Sequence, residues 1–430
     1  MFRLFDVGYV FAGIVYLPVL AYQIIAQRKN RQGWAERFGM VGLPATSGRR
    51  IWVHGVSLGE VNAARRLVHS LAERFSGHEI VVSSTTDTGF ARGVELFGRG
   101  RVFRFPLDFS CVVRRVLDAI GADVIVLMEL EVWPNLVREA DRKGVPVVVA
   151  NGRLTERSAR RLAMLGGIAR TMFRRLAWVG AQDETFAARF RDMGVDESRL
   201  AVTGSMKWET ASADDGADGA DSLAAEMGLN GAAPVWVCGS TGPGEEAMVL
   251  DAYRMLTANG SVVRLVLVPR KPERFDEVAR LIGQRGFQCR RRSGCVPGSA
   301  PGAVDPQTVV LGDTMGELRR FYSSATVVFV GRSLAPMGGS DPMEVAALGK
   351  AMVTGPHMDN FREPADVLRR CGAMTTVTSA ESLAAEVAAI CREPFAARRR
   401  GDAGRRVVDA NQGATAKTVE AITKLLSGRR

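Results

Sequence analysis

From Ile51 onward the chain alternates short β-branched and aromatic runs with stretches in which apolar residues recur three and four positions apart. Runs of the first kind read as buried strands and stretches of the second as amphipathic helices. Strands are expected at IWVHGV (51–56), EIVVSST (79–85), RVFRFP (101–106), VIVLMEL (124–130), VPVVVANG (145–152), LAWVGAQ (176–182) and LAVTGS (200–205). A second set is expected at VWVCGS (235–240), VVRLVLVPR (262–270), TVVLGD (308–313), ATVVFVGRS (325–333) and AMVTGP (351–356), with a closing helix over 413–430. Strand-helix alternation of this kind predicts parallel, doubly wound sheets.

The stretch 209–234 breaks the rhythm with Asp, Gly and Ala, as an interdomain connection does. The expected organisation is an N-terminal anchor over 1–30, a Rossmann-like domain over 31–210, a linker over 211–234 and a second Rossmann-like domain over 235–430. Two such halves place a ligand at the carboxyl ends of their strands, in a cleft.

The amino terminus follows a different pattern. Val7 to Ala26 is 20 residues without a charge, enough for about 30 Å of helix, the thickness of a bilayer core. Arg28, Lys29, Arg31 and Arg37 follow it, which predicts that the bulk of the protein lies on the cytoplasmic side. Pro18 and Gln23 leave open a tilted or interfacial helix in place of a clean span.

The chain has 430 residues, 47% of them hydrophobic, 24% charged, and a net charge of +11. Its length calls for two domains, and the basic balance points to an anionic partner: a phosphorylated substrate, an acidic membrane surface or nucleic acid. No aromatic-basic strand motif or zinc spacing supports nucleic acid. Six cysteines without a CxxC pair and four scattered histidines predict neither a disulfide framework nor a metal site.

Glu60 ends the stretch VHGVSLGE, where a strand gives way to a helix. A carboxylate there either caps orphan N–H groups or faces a cleft as a general base. Three junctions in the second half resemble anion-binding helix starts. In GDTMGELRRF, Thr314 and Glu317 stand at capping-box spacing, which would point the N–H groups of Met315, Gly316 and Glu317 outward. In GGSDPMEVAAL, Asp341 is the expected N-cap, with Pro342 at the first helical position and Glu344 at the third. GSTGPGEEAM repeats the form with Pro243 and Glu245, and Arg270 ends the strand LVLVPR. No P-loop and no GxGxxG after a strand is present, which disfavours ATP hydrolysis and dinucleotide redox chemistry.

VHGVSLGE, LMELEVWPN, VANGRLTERSARR, AQDETFAARF, VTGSMKWE, PRKPERF, GDTMGEL and GGSDPMEVAALGKAMVTGPHMDNFRE resemble, in order and spacing, the 3-deoxy-D-manno-octulosonic acid (Kdo) transferases of lipopolysaccharide assembly. The resemblance implies a two-domain α/β GT-B glycosyltransferase with an N-terminal anchor helix, on the cytoplasmic face of the inner membrane. It implies transfer of Kdo from CMP-Kdo to a lipid A precursor, lipid IVA, with no metal or other cofactor. It implies Glu60 as catalytic base, and Glu129 and Lys207 as transition-state stabilisers. Pro269 and Arg270 match a first nucleotide-binding element, Met315, Gly316 and Glu317 a second, and Asp341, Pro342, Met343 and Glu344 a third. The family usually carries histidine where this chain has Gly242, Lys271 and Ser340, and asparagine where it has Asp341. These departures leave two alternatives: a transferase of another nucleotide-linked sugar, and a membrane-tethered binding protein without catalysis.

Overall fold

The computed structural model describes residues 5–11, 13, 15, 33–44, 48–211, 218–295, 298, 305 and 307–428. The described chain divides into two compact units, one of Met1–Thr210 with Asn411–Arg430 and one of Ala211–Ala410.

Unit 1 is built on a seven-stranded parallel sheet of β1 (Arg49–His54), β2 (His78–Ser84), β3 (Val102–Arg104), β4 (Ala122–Met128), β5 (Val147–Gly152), β6 (Trp178–Ala181) and β7 (Leu200–Val202). Their spatial order is β3-β2-β1-β4-β5-β6-β7. Because side chains alternate along a strand, the sheet faces two cores. Ile51 and Val53 of β1 point to one, with Val124, Val126 and Val148, beneath the helix Leu58–Arg74. Trp52 points to the other, with Ile125, Leu127 and Val149, where Phe173 and Phe190 complete the packing. Val61, Ala64, Leu67, Val68 and Leu71 of that helix are buried at the spacing its sequence predicts, and Ala63 is buried with them.

Unit 2 repeats the architecture with β8 (Val235–Thr241), β9 (Arg264–Pro269), β10 (Cys289–Arg291), β11 (Val309–Leu311), β12 (Val327–Val330), β13 (Ala351–Thr354) and β14 (Met374–Thr376). The order is β10-β11-β9-β8-β12-β13-β14, again with every pair parallel. Its core holds Trp236, Leu265, Leu267, Phe329 and Val353 with Tyr253, Val278 and Val387 from the surrounding helices.

Three expectations are corrected. The closing helix, Ala414–Ser427, belongs to unit 1, not to the second domain: Ala414 and Ile422 join the core of Ile51 and Leu67. Glu209, buried at the end of the unit 1 strand region, accepts from Thr415 N at 3.1 Å and from the Thr415 hydroxyl. The 211–234 linker contains the helix Ala220–Met227, which buries Leu223, Ala224 and Met227 within unit 2. Strands β10 and β14 were not anticipated. Each has three residues and sits at a sheet edge, so neither needs an apolar run.

The expected anchor over Val7–Ala26 lies largely outside the described residues. Among the described residues no helix is long and apolar enough to cross a membrane. The helical residues 5–11 are tied to the rest of unit 1 through Asp6, which accepts from Ser110 N at 3.0 Å, and through Tyr9, which donates to Asp108 at 3.0 Å.

Candidate active site

In unit 1 the strand order reverses between β1 and β4. The carboxyl ends of strands at such a switch point open a crevice that takes ligands. Glu60 follows β1 and Glu129 follows β4, so the two acids flank it.

Ser57 caps the helix that carries Glu60, accepting from Glu60 N at 3.4 Å. The Glu60 carboxylate reaches back: Oε2 accepts from Val56 N at 2.9 Å and Oε1 from the Ser57 hydroxyl at 2.9 Å. The bland reading of this residue is therefore present in the structure as a reciprocal cap. It does not exhaust the side chain, which is only partly buried. Burial, and next the neighbouring Glu129, hold its pKa above the ordinary glutamate value against the pull of the Val56 and Ser57 hydrogen bonds. Gly55 lets the backbone approach Glu60 closely, since a Cβ there would lie 3.2 Å from that of Glu60.

Glu129 has φ 57°, a left-handed conformation that is unusual for a residue with a side chain. Its amide donates to Ala150 O at 3.0 Å, so β5 holds the turn in place. The turn directs its carboxylate to Lys207, whose Nζ lies 3.0 Å from Oε1. Glu131, two residues on, accepts from Trp133 Nε1 at 2.9 Å. Burial, then the charge of Glu60, pushes the Glu131 carboxyl up to about 7. Three acids and one lysine thus share the ends of β1, β4 and β7.

Asn151, at the end of β5, is a site residue that the motif reading passes over. It too is left-handed, φ 55°, and fully buried. Its Oδ1 accepts from Met206 N at 3.0 Å, which fixes the residue immediately before Lys207. The available signal was an asparagine at a strand end, since asparagine tolerates the left-handed region better than most residues. His54 plays no such part. It is fully buried and stacked on Phe105 at 3.8 Å, its Nδ1 lies 2.9 Å from the Ser83 hydroxyl, and burial lowers its pKa to about 3.

In unit 2 the order reverses between β8 and β12, and the predicted nucleotide-binding residues lie at strand ends around that point. Pro269 ends β9, and exposed Arg270 follows it with its amide donating to Thr241 O at 3.0 Å. Met315, Gly316 and Glu317 follow β11. The expected capping box with Thr314 is not formed. The helix begins only at Leu318, Gly316 takes φ 85°, and the Glu317 carboxylate is bound by Arg292 and the Thr314 hydroxyl. Asp341 is not the N-cap that was expected: the helix is Met343–Ala347 with Pro342 as its N-cap, and Asp341, one residue before the cap, accepts from Met343 N through Oδ1 at 2.8 Å. Burial, and secondly Glu344, pushes the Asp341 carboxyl up to about 7. Glu344 is raised by burial against the opposing charges of Arg319 and Arg270.

Glu245 does more than the helix start it was expected to mark. Fully buried, its carboxylate accepts from the amides of Gly242 at 2.9 Å, Arg332 at 2.5 Å, Ser333 at 2.7 Å and Leu334 at 2.8 Å. It ties the loop after β8 to the loop after β12, and the Gly242 amide is committed to it. Of the departures noted above, Lys271 is exposed and paired with Glu273 at 3.3 Å, and the Ser340 hydroxyl lies 3.5 Å from Ser240 O. A Cβ at Gly242 would meet Met337 Cε at 2.4 Å, so methionine occupies the space beside that position.

Two parallel α/β units with chemistry at their switch points resemble the GT-B class of glycosyltransferases. Over 87% of this chain the fold matches MurG of Acinetobacter baumannii, with a TM-score of 0.53, 14% identity and 99% of that chain covered. At such identity the likeness speaks for the fold alone. Sequence narrows the class. The family described as 3-deoxy-D-manno-octulosonic-acid transferase (kdotransferase) matches residues 32–210. The 3-deoxy-D-manno-octulosonic acid transferase of Haemophilus influenzae is 33% identical over 93% of this chain and 92% of its own length. That of Bordetella pertussis is 34% identical over 90% of each. The chain belongs to the 3-deoxy-D-manno-octulosonic acid transferase family.

Proposed function

We propose that this protein is an inverting glycosyltransferase that moves Kdo from CMP-Kdo to a lipid A precursor, lipid IVA, at the cytoplasmic face of the inner membrane, without a metal. The observation that carries the reading is the gathering of Glu60, Glu129 and Lys207 at the switch point of a sheet whose chain belongs to this family.

The chemistry follows from the groups present. Glu60 takes the proton of an acceptor hydroxyl as its oxygen forms a bond to the anomeric carbon of the donor, a role typically worth about 10²–10⁴-fold. The bond from that carbon to the CMP phosphate breaks, and its electron pair leaves with CMP. A base whose pKa is raised by burial accepts a proton more readily than an ordinary glutamate. Lys207, held by Glu129, offers a positive charge beside the reacting groups. In unit 2, Arg270 and the amides of the 315–317 loop are suited to the negative charge that develops on the departing phosphate.

Glu60→Gln and Glu60→Ala in the full chain test this assignment with CMP-Kdo, lipid IVA and a panel of other nucleotide-linked sugars. Loss of Kdo transfer with CMP binding intact is expected. Full activity in either variant removes Glu60 from the mechanism, and activity only with another donor replaces Kdo in the assignment.

A further inference from the structure

Strand β10 consists of Cys289, Arg290 and Arg291, and Arg292 follows directly. It is an edge strand, yet its arginines turn inward onto neighbouring elements. Because side chains alternate, Arg290 and Arg292 reach one side and Arg291 the other. Arg290 Nη2 donates to Glu226 O at 3.0 Å. Arg292 grips Glu317 with two parallel hydrogen bonds of 3.1 Å, from Nε and Nη2, and gives its Nη1 to Glu226 Oε2 at 2.8 Å. Arg291 Nε donates to Asp313 Oδ2 at 2.6 Å.

The outcome is that the loop after β11 is fastened at both ends, Asp313 by Arg291 and Glu317 by Arg292. Between the two lie Gly316, at φ 85°, and Met315, which is 66% exposed. Thr314, the third residue between them, bonds Glu317 through its hydroxyl, so the segment's own contact also leads to that carboxylate. The grip at the Glu317 end is also largely dry, the side chains of Arg292, Glu317 and Glu226 being 13%, 13% and 8% exposed, while at the other end the half-exposed Arg291 covers a fully buried Asp313. Forked arginine-carboxylate bonds away from water are among the stronger polar contacts, and they set geometry as well as energy. Glu226 in turn belongs to the helix Ala220–Met227, where Ser222 and the Gly298 amide also bond it at 3.0 and 2.9 Å.

We propose that Arg292 is a positioning residue for nucleotide binding, clamping the 313–317 loop to the helix Ala220–Met227 so that the Met315 and Gly316 amides face the CMP moiety of the donor. This rests on the reading of Met315 to Glu317 as a nucleotide-binding element. The Glu317 carboxylate is then an anchor for the loop and not a ligand contact. A clamp of this kind acts equally on the bound donor and on the transition state, so its loss appears in the donor KM and not in kcat.

The test uses the full chain with Arg292→Ala, Arg292→Lys, Glu317→Ala and the Arg292→Ala/Glu317→Ala pair. CMP affinity is measured by calorimetry, transfer by steady-state kinetics, and loop order by amide hydrogen exchange of residues 313–317. Arg292→Ala is expected to weaken CMP binding and raise the donor KM about tenfold, with kcat within about twofold and faster exchange in the loop. Arg292→Lys, which keeps the charge but not the fork, is expected to fall between. The pair is expected to be no worse than Glu317→Ala alone. Unchanged loop exchange in Arg292→Ala, or effects of the two single changes that simply add, overturns the clamp. Faster loop exchange with unchanged CMP affinity instead overturns the assignment of the loop to the nucleotide, and with it the positioning role.

Discussion

Lys207 Nζ lies 3.0 Å from Glu129 Oε1, joining the loop after β7 to the left-handed turn after β4. Both side chains are about a quarter exposed, 26% and 20%. An ion pair so placed contributes at most about 1 kcal/mol to stability. In the proposed mechanism it has another use, as a charge held ready for the reaction. Lys207→Ala is therefore expected to lower kcat by about 10²–10³ while changing unfolding free energy by no more than about 1 kcal/mol. Transfer kinetics and urea unfolding on the same preparation measure both. A large stability loss with kcat preserved would make the pair structural.

Asn151 supports that lysine from the neighbouring strand. Alanine at this position would face two costs: a left-handed φ, about 1–2 kcal/mol, and a Met206 amide without its buried acceptor, about 1–3 kcal/mol. Asn151→Gly removes the first cost and keeps the second. The alanine variant is expected to be less stable than the glycine variant by about 1–2 kcal/mol, and both are expected to lose transfer activity because the chain entering Lys207 is released. Equal stability of the two would show that the backbone there is not strained.

The parallel α/β character of both units was legible because buried strands such as VIVLM and LVLV admit little but apolar residues. Glu60, Glu129 and Lys207 stood out as candidates because their neighbours form short ordered motifs, and the fold brings them to the ends of strands of one sheet. What escaped was set by tertiary contact. Strand β10 carries arginines because Arg291 meets Asp313 of a loop and Asp276 of a helix and Arg290 meets a backbone carbonyl, which no local period records. The helix Ala414–Ser427 has the apolar stripe of any surface helix, and nothing in that stripe says which unit it covers. Glu245 looks like an ordinary acid at a helix start; four amides from two loops give it its weight.

Glu245 is accordingly expected to be the most sensitive acid of unit 2. Glu245→Ala would leave the amides of Gly242, Arg332, Ser333 and Leu334 without an acceptor in a buried place, a loss above about 3 kcal/mol. Glu245→Gln keeps one accepting oxygen and is expected to lose less. Trp236 is the one tryptophan within 211–410 and is fully buried in β8, so its indole signal in NMR follows unfolding of this unit. Unfolding of the alanine variant at wild-type urea concentrations would show that the loops after β8 and β12 stand without the carboxylate.

Glu131 makes the charge balance of the unit 1 cluster measurable. Its carboxyl is pushed up to about 7 by burial first and by Glu60 second. In the unfolded chain it titrates near 4.5, so between about 4.5 and about 7 the folded protein binds the extra proton. Stability from this group is therefore fully present below about 4.5, and is lost as pH rises through about 7. Glu131→Gln, which stays neutral and keeps an oxygen for Trp133 Nε1, is expected to melt higher than the native protein at about pH 8 and to match it near pH 4. The Trp133 indole proton reports the ionisation directly, because its acceptor changes charge. Its shift is expected to titrate with a midpoint near 7 in the native chain and lower in Glu60→Gln, where the like charge is gone and ionisation becomes easier. A midpoint unmoved by Glu60→Gln would mean that the two acids do not sense one another, and that burial and the charge of Glu129 raise Glu131 without Glu60.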